Sequence, residues 1–232
     1  SICNIRSKGD KLIEWALDQG ERYLLSRWDD ETIETEVGKA ALMRGMKKAW
    51  IEARKFSASV GTTAHKWIEE HIKASIAMDR EPDWPDIDAA HRAAESYLAW
   101  EKNHSVRYVS SEKLVLSREH GYCGTEDIIA YVDDSLTLVD IKTGNNYRSD
   151  YAMQTAGYLI AENEERRCMG EEEVKERIIL VVSKEDAAFM PFRLPESRNE
   201  RDQAAFLGAK QLYDWTLAEG ISTGEKKKRR RK

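Results

Sequence analysis

The chain has 232 residues, 34% of them charged and 41% apolar, with seven Trp, and its regular apolar periodicity excludes a disordered chain in favour of one sizeable core. The formal net charge of −5 conceals a segregation, because KKKRRRK at 226–232 holds seven of the 37 basic residues and leaves 30 basic against 42 acidic groups elsewhere. A body that acidic excludes generic polyanion binding, so any contact with nucleic acid has to come from a local basic or dipolar groove.

Three cysteines, Cys3, Cys123 and Cys168, lie far apart without a CxxC pair. Neither a disulfide framework nor a zinc or iron–sulfur site is signalled, and reduced thiols are the simpler expectation. No apolar run approaches membrane-spanning length, and SICNIRSKGDK has no signal-peptide core, so a soluble intracellular, cytoplasmic protein is expected. The expected organisation is a single domain over 1–220, with a helical part to residue 104 and a sheet core from 105. A disordered basic tail over 221–232 is expected to add weak phosphate attraction, nuclear import or solubility.

From the N-terminus, Leu12, Ile13, Ala16, Leu17, Leu24 and Leu25 predict an amphipathic helix over Asp10–Trp28, interrupted near Gly20. Val37, Ala40, Ala41, Met46 and Trp50 predict a second helix from Thr32 to Arg54. Ser59-Val60-Gly61-Thr62-Thr63 then leads into a third, AHKWIEEHIKASIAM, which carries His65 and shows Trp67, Ile68, Ile72 and Ile76 on one face. EPDWPD at 81–86 ends it, and a fourth helix runs from Ile87 to Trp100.

Strands follow at Leu114–Leu116, Ile128–Val132 and Leu136–Ile141, the last two joined through Asp133-Asp134-Ser135 as a hairpin turn. Tyr151 to Ala161 reads as a helix with Gln154 and Tyr158 on one face. Ile178–Val182 reads as a buried strand, Ala187–Leu194 as its partner with Pro191 marking an edge, and Asn199–Leu217 as the closing helix.

On the third strand, alternation puts Asp140 and Lys142 on one surface and Ile141 on the other. Asp127 ends the polar turn GYCGTED where the second strand begins, so the hairpin can bring it to Asp140. Two carboxylates with the Ile141 carbonyl suit a hard divalent cation. Lys142 can orient or activate a water and stabilise charge on phosphorus. Each residue has a plainer reading: a strand leaving the core for Asp140-x-Lys142, a packing histidine for His65, a solvated amide beside a half-buried ring for Gln154 and Tyr158, and a helix surface charge for Glu69.

Asp127 followed by Asp140-Ile141-Lys142 resembles the PD-(D/E)XK nuclease signature. Gly61-Thr62-x-x-His65 and Gln154-x-x-x-Tyr158 are similar to accessory motifs of its RecB-like branch, which includes phage exonucleases and the mitochondrial genome maintenance exonuclease. The likeness covers roughly the hundred residues from Gly61 to Tyr158, and Lys11-Leu12-Ile13-Glu14-Trp15 is weakly similar to phage and mitochondrial members. It implies an α/β, restriction-endonuclease-like core, a central mixed sheet flanked by helices with an N-terminal helical elaboration. It implies a DNA exonuclease dependent on Mg²⁺ or Mn²⁺, in a bacterial or phage-infected cell. His65, Asp127, Asp140 and the Ile141 carbonyl would hold metal, and Lys142 would be the catalytic lysine. Gln154 and Tyr158 would position the lysine or the nucleic-acid backbone, and Glu112 corresponds loosely to a carboxylate for a second metal. A structure-specific endonuclease and a non-catalytic nucleic-acid-binding or assembly module are the rival readings. Glu126 stands where the branch often has proline and is read as an exposed turn residue; with three cysteines, no iron–sulfur cluster is expected.

Overall fold

The structure, a computed structural model, describes residues 9–27, 35–144 and 146–220. Helices α1 (Gly9–Leu25), α2 (Glu36–Ala77) and α3 (Asp88–Lys102) precede three hairpin-connected strands, β1 (Val106–Ser117), β2 (Tyr122–Val132) and β3 (Ser135–Thr143). Helix α4 (Ser149–Met169) crosses over to β4 (Glu176–Val182), β5 (Phe189–Leu194) returns beside it, and α5 (Asn199–Ala218) is the last described element. The expected basic tail, Cys3, and the expected ends at Trp28 and Thr32 lie outside the described residues.

The five strands lie in chain order, with β3 and β4 parallel and all other neighbours antiparallel. This is a mixed sheet flanked by helices, an α/β fold. Helices α2 and α3 cover one face, where Val60, Ala64, Ile68, Ile72, Tyr97 and Trp100 pack against Ile128, Val139, Ile141, Ile178 and Leu180. Helix α4 covers the other through Leu159, against Ile129, Leu136 and Leu138. Helix α5 then seats Phe206 on Gly157, where a Cβ would lie 2.6 Å from the Phe206 ring.

The turn between β2 and β3 holds Asp133 at φ 50° and Asp134 at φ 68°, the two left-handed residues that a type I′ hairpin needs. Strand β4 is buried from Ile178 to Val182, while β5, with Pro191 opposite Leu180, is an edge.

Two expectations for the helices are corrected. Residues 59–63 do not separate two helices, because α2 runs through them for 42 residues. Val60 is buried in the core, and the Ser59 and Thr62 hydroxyls donate back to the Phe56 and Ala58 carbonyls, so neither polar residue diverts the backbone. Gly20 does not interrupt α1 either; a Cβ there would lie 3.1 Å from Met46 Cγ, so the glycine marks close contact between α1 and α2.

Strand β1 is twelve residues, far longer than Leu114–Leu116. It is an edge strand, with Leu114 69% and Leu116 50% exposed, so VRYVSSEK lacks the apolar density of a buried strand.

Candidate metal centre

The hairpin ladder between β2 and β3 begins at Ile128 opposite Val139. One step further, its register would set Asp127 opposite Asp140, but the strands part there, β2 staying with β1 and β3 with β4. The Ile141 N–H donates instead to Asp127 Oδ2 at 2.7 Å. The two acids thus stand at the fork of the sheet.

Opposite Asp127 on β1, flanked by the pairs Ser111–Ile128 and Lys113–Glu126, is Glu112 with φ 51°. A left-handed glutamate costs on the order of 1 kcal/mol, and strain of this kind concentrates at functional sites. It accompanies a change of face in β2. Ile128 packs under α2 and α3, whereas Glu126, two residues earlier, lies against Glu162 and Arg166 of α4.

Helix α2 supplies the third element. At Gly61 a Cβ would lie 3.0 Å from Thr143 Oγ1, so the helix closes onto the end of β3, and one turn later His65 reaches the fork. His65 Nδ1 is 3.8 Å from Asp127 Oδ2. Ligand atoms of His65, Glu112 and Asp127 all lie within 4.8 Å of one another, a spacing that suits one cation. A groove of about 580 Å³, lined by Gly61, Thr62, His65, Lys66, Glu69 and Glu112, opens onto them.

Asp140 is not in that cluster. It stands beside it, on the α4 side of β3 but within range of the Asp127 and His65 charges; Lys142 Nζ donates to its Oδ1 at 2.8 Å and lies 2.7 Å from its Oδ2. Only Oδ1 has hydrogen-bond alignment, which leaves Oδ2 buried without a hydrogen bond. Burial pushes Asp140 up to about 7, the Asp127 charge adding to it and Lys142 opposing. Burial likewise pushes Asp127 up to about 6 against the pull of Lys142 and the Ile141 N–H. Lys142 is itself lowered by burial, but Asp140 and Asp127 outweigh this and hold it above its ordinary value. His65 is lowered, by burial first and Lys142 second, which favours the neutral imidazole that metals require. Two crowded acids that share one lysine, beside a histidine held toward its neutral form, make a site short of positive charge. A divalent ion fits it.

Gln154 and Tyr158 are brought together, Gln154 Nε2 donating to the Tyr158 hydroxyl at 2.7 Å. Tyr151, on the same face of α4, places its ring 5.4 Å from Lys142 Nζ. Tyr151 is not among the residues singled out from the sequence; the spacing 151, 154, 158, which continues one helical stripe, is the signal that could have found it. Glu69 pairs with Lys73 rather than His65, in keeping with a surface charge.

Glu126 corrects the reading of an exposed turn. GYCGTED is largely strand, and Glu126 is fully buried on the α4 side. Glu162, also buried, binds Lys113 Nζ at 2.8 Å and Arg166 Nε at 2.7 Å, whereas neither Glu126 oxygen has a hydrogen bond. Burial, then the Glu162 charge, pushes Glu126 up to about 9, so it is neutral at physiological pH.

Two other features stand apart from the fork. A groove of about 880 Å³ between β1 and the end of α4, lined by Leu114, Leu116, Glu164 and Cys168 among others, contains none of these residues. Glu119, His120 and Glu164 also converge, but Glu164 accepts bonds from the Ser117 hydroxyl and the Arg118 N–H and so fastens the β1–β2 turn.

No helix among the described residues is long and apolar enough to cross a membrane. No protein-family model matches the sequence, and no curated protein matches it. Among solved structures, the chain is similar to a crystal structure from Eubacterium rectale provisionally named an exonuclease, with a TM-score of 0.45 and 11% identity, over 70% of this chain and 69% of that one.

Proposed function

We propose that the chain is a divalent-metal-dependent DNA nuclease of the PD-(D/E)XK superfamily, RecB-like branch, acting as an exonuclease. One observation carries the reading. Where β2 and β3 part, His65, Glu112 and Asp127 present ligand atoms within 4.8 Å of one another, and the Asp140–Lys142 pair stands on the strand beside them.

In this reading His65, Asp127, Asp140 and the Ile141 carbonyl hold Mg²⁺ or Mn²⁺, with Glu112 completing the acid set. The metal supplies charge neutralisation at the scissile phosphate and a more acidic water. Asp127 has a second task, since its bond to the Ile141 N–H fixes the fork and with it the direction of the Ile141 carbonyl. Lys142 is a cation on a strand, steadied by Asp140 and the Tyr151 face, and stabilises the negative charge that grows on phosphorus. Gln154 donates to one lone pair of the Tyr158 hydroxyl, which leaves the phenolic O–H to donate to a phosphate oxygen or to Asp140. Helix α2 and helix α4 thus grip the sheet from both faces and preorganise the fork.

The test uses linear and covalently closed circular DNA, single- and double-stranded, labelled at either end and incubated with Mg²⁺, Mn²⁺ or chelator. Shortening of linear DNA from an end with circles left intact is expected. Cutting of circles makes the protein an endonuclease, and tight DNA binding without metal-dependent cleavage makes it a binding module.

A further inference from the structure

We propose that the exposed line of α2 leading to His65 is a rail for single-stranded DNA, delivering one strand to the fork from the N-terminal side of the helix. This rests on the nuclease reading and extends it to the path of the substrate.

The charge is placed where a polyanion needs it. Residues 39–55 hold six basic residues against one acid, in a chain whose acids otherwise exceed its bases outside the basic tail. Arg44, Lys47, Lys48, Arg54 and Lys55 are all exposed. Among the described residues, Arg44, Lys47, Lys48 and Lys55 make no ion pair, and the Arg54 guanidinium lies 6.0 Å from the Trp50 ring centre. Further along the same helix the basic residues are spent: Lys66 pairs with Glu70 and Lys73 with Glu69.

Helical geometry aligns the unspent cations with the site. At 3.6 residues per turn, Arg54 lies three turns and Lys47 five turns before His65, so all three fall on one line about 27 Å long. Between Arg54 and His65 that line carries only Ala58, Gly61 and Thr62, a smooth floor on which a strand can lie close to the helix. Helix α1 leaves it open, since its Gly20 and Tyr23 pack on Met46 and Gly45, on the opposite side of α2.

Met43 and Ile51, 49% and 39% exposed, are interleaved with the cations. Unpaired bases cover such apolar positions, while a duplex presents only its phosphates. Past His65 the groove turns acidic, with Glu69 and Glu112 on its wall, so the attraction ends at the fork. A strand is drawn in from one side and meets repulsion on the other.

The experiment measures binding of a fluorescent 20-nucleotide single strand to the full chain, in chelator to prevent cleavage, across a salt series. Lys47→Ala/Arg54→Ala is expected to weaken binding about tenfold or more at moderate salt and to reduce the slope of log affinity against log salt by about 1.4, two phosphate contacts' worth for a single strand. Arg118→Ala/Arg167→Ala, removing equal charge beside the other groove, is expected to leave both quantities unchanged. These substitutions are on exposed positions, and an unchanged Tm verifies folding. Wild-type affinity in the rail variant, or equal losses in the two variants, overturns the rail; tighter binding of a matched duplex overturns its single-strand assignment. Rail-dependent binding in a protein that never cleaves DNA leaves the rail standing and removes the nuclease reading. Cleavage with a dispensable rail does the reverse.

Discussion

Raising the pH from 5.5 to 8 should destabilise the metal-free protein, and a divalent ion should remove much of that loss. Asp140 is pushed up to about 7 and Asp127 to about 6, each principally by burial, from an ordinary value of 3.8. A carboxyl raised in the folded state binds more protons folded than unfolded, so stability falls as pH climbs from the unfolded toward the folded value. Within this window Asp140 alone corresponds to about 2 kcal/mol at 1.36 kcal/mol per pH unit and Asp127 to less than about 1; since the two acids are coupled and share Lys142, a joint loss of roughly 2–3 kcal/mol is expected. For a chain of this size that is a fall in Tm of roughly 4–12 °C. Ordinary carboxylates are ionised in both states across this window and drop out, whereas His65, lowered chiefly by burial, contributes with the opposite sign below its ordinary value and offsets part of the fall. Glu126, pushed up to about 9 by burial, adds a fall of the same sign. So does His71, where burial is outweighed by Glu101 and Glu81, which raise it. Neither touches the fork, so the diagnostic quantity is the difference between chelator and Mn²⁺, measured by thermal melts at each pH, with Glu126→Gln removing one background contribution. A chelated protein that gains stability over this range, or identical pH profiles with and without Mn²⁺, refutes the reasoning.

Three further outcomes are expected. Lys142→Ala should retain Mn²⁺-induced stabilisation in a melt yet lose at least a hundredfold in cleavage rate, since the lysine acts on the phosphate and not on the ion; wild-type turnover in this variant contradicts the mechanism. Glu112→Gly should raise Tm in chelator by about 2 °C, because glycine tolerates φ 51°, while lowering Mn²⁺ affinity in calorimetry. Gly157→Val should destabilise the fold by about 2 kcal/mol or more in urea unfolding, because even a single added Cβ would lie 2.6 Å from Phe206.

The parts of the fold set by local periodicity were legible in the sequence. Alternation along β3 put Asp140 and Lys142 on one face, and they are bonded; Asp133-Asp134 gave the hairpin; the four-residue spacing of Gln154 and Tyr158 gave their contact. What resisted reading depends on partners distant in the chain. Ser59 to Thr63 look like a break until Val60 has a core to enter and the hydroxyls have helical carbonyls to bond. The polar first half of β1 looks like loop because an edge strand needs apolar residues on one face only. Glu126 looks exposed because GYCGTED has the composition of a polar turn, and a regular strand would have set it on the face of Ile128. The change of face there, opposite left-handed Glu112, turns Glu126 into the α4 side, where Lys113 and Arg166 already serve Glu162. The same irregularity brings Glu112 to His65 and Asp127, a proximity that its position on a polar strand did not disclose.

The most direct test of metal-assisted cleavage at the fork is the release of labelled nucleotide from end-labelled linear DNA by purified wild-type protein and by Asp140→Ala, each with Mn²⁺ and with chelator. Release by the wild type with Mn²⁺ alone, abolished by chelator and by the substitution, is the expected result. Release that persists in chelator, or that Asp140→Ala sustains at the wild-type rate, contradicts it.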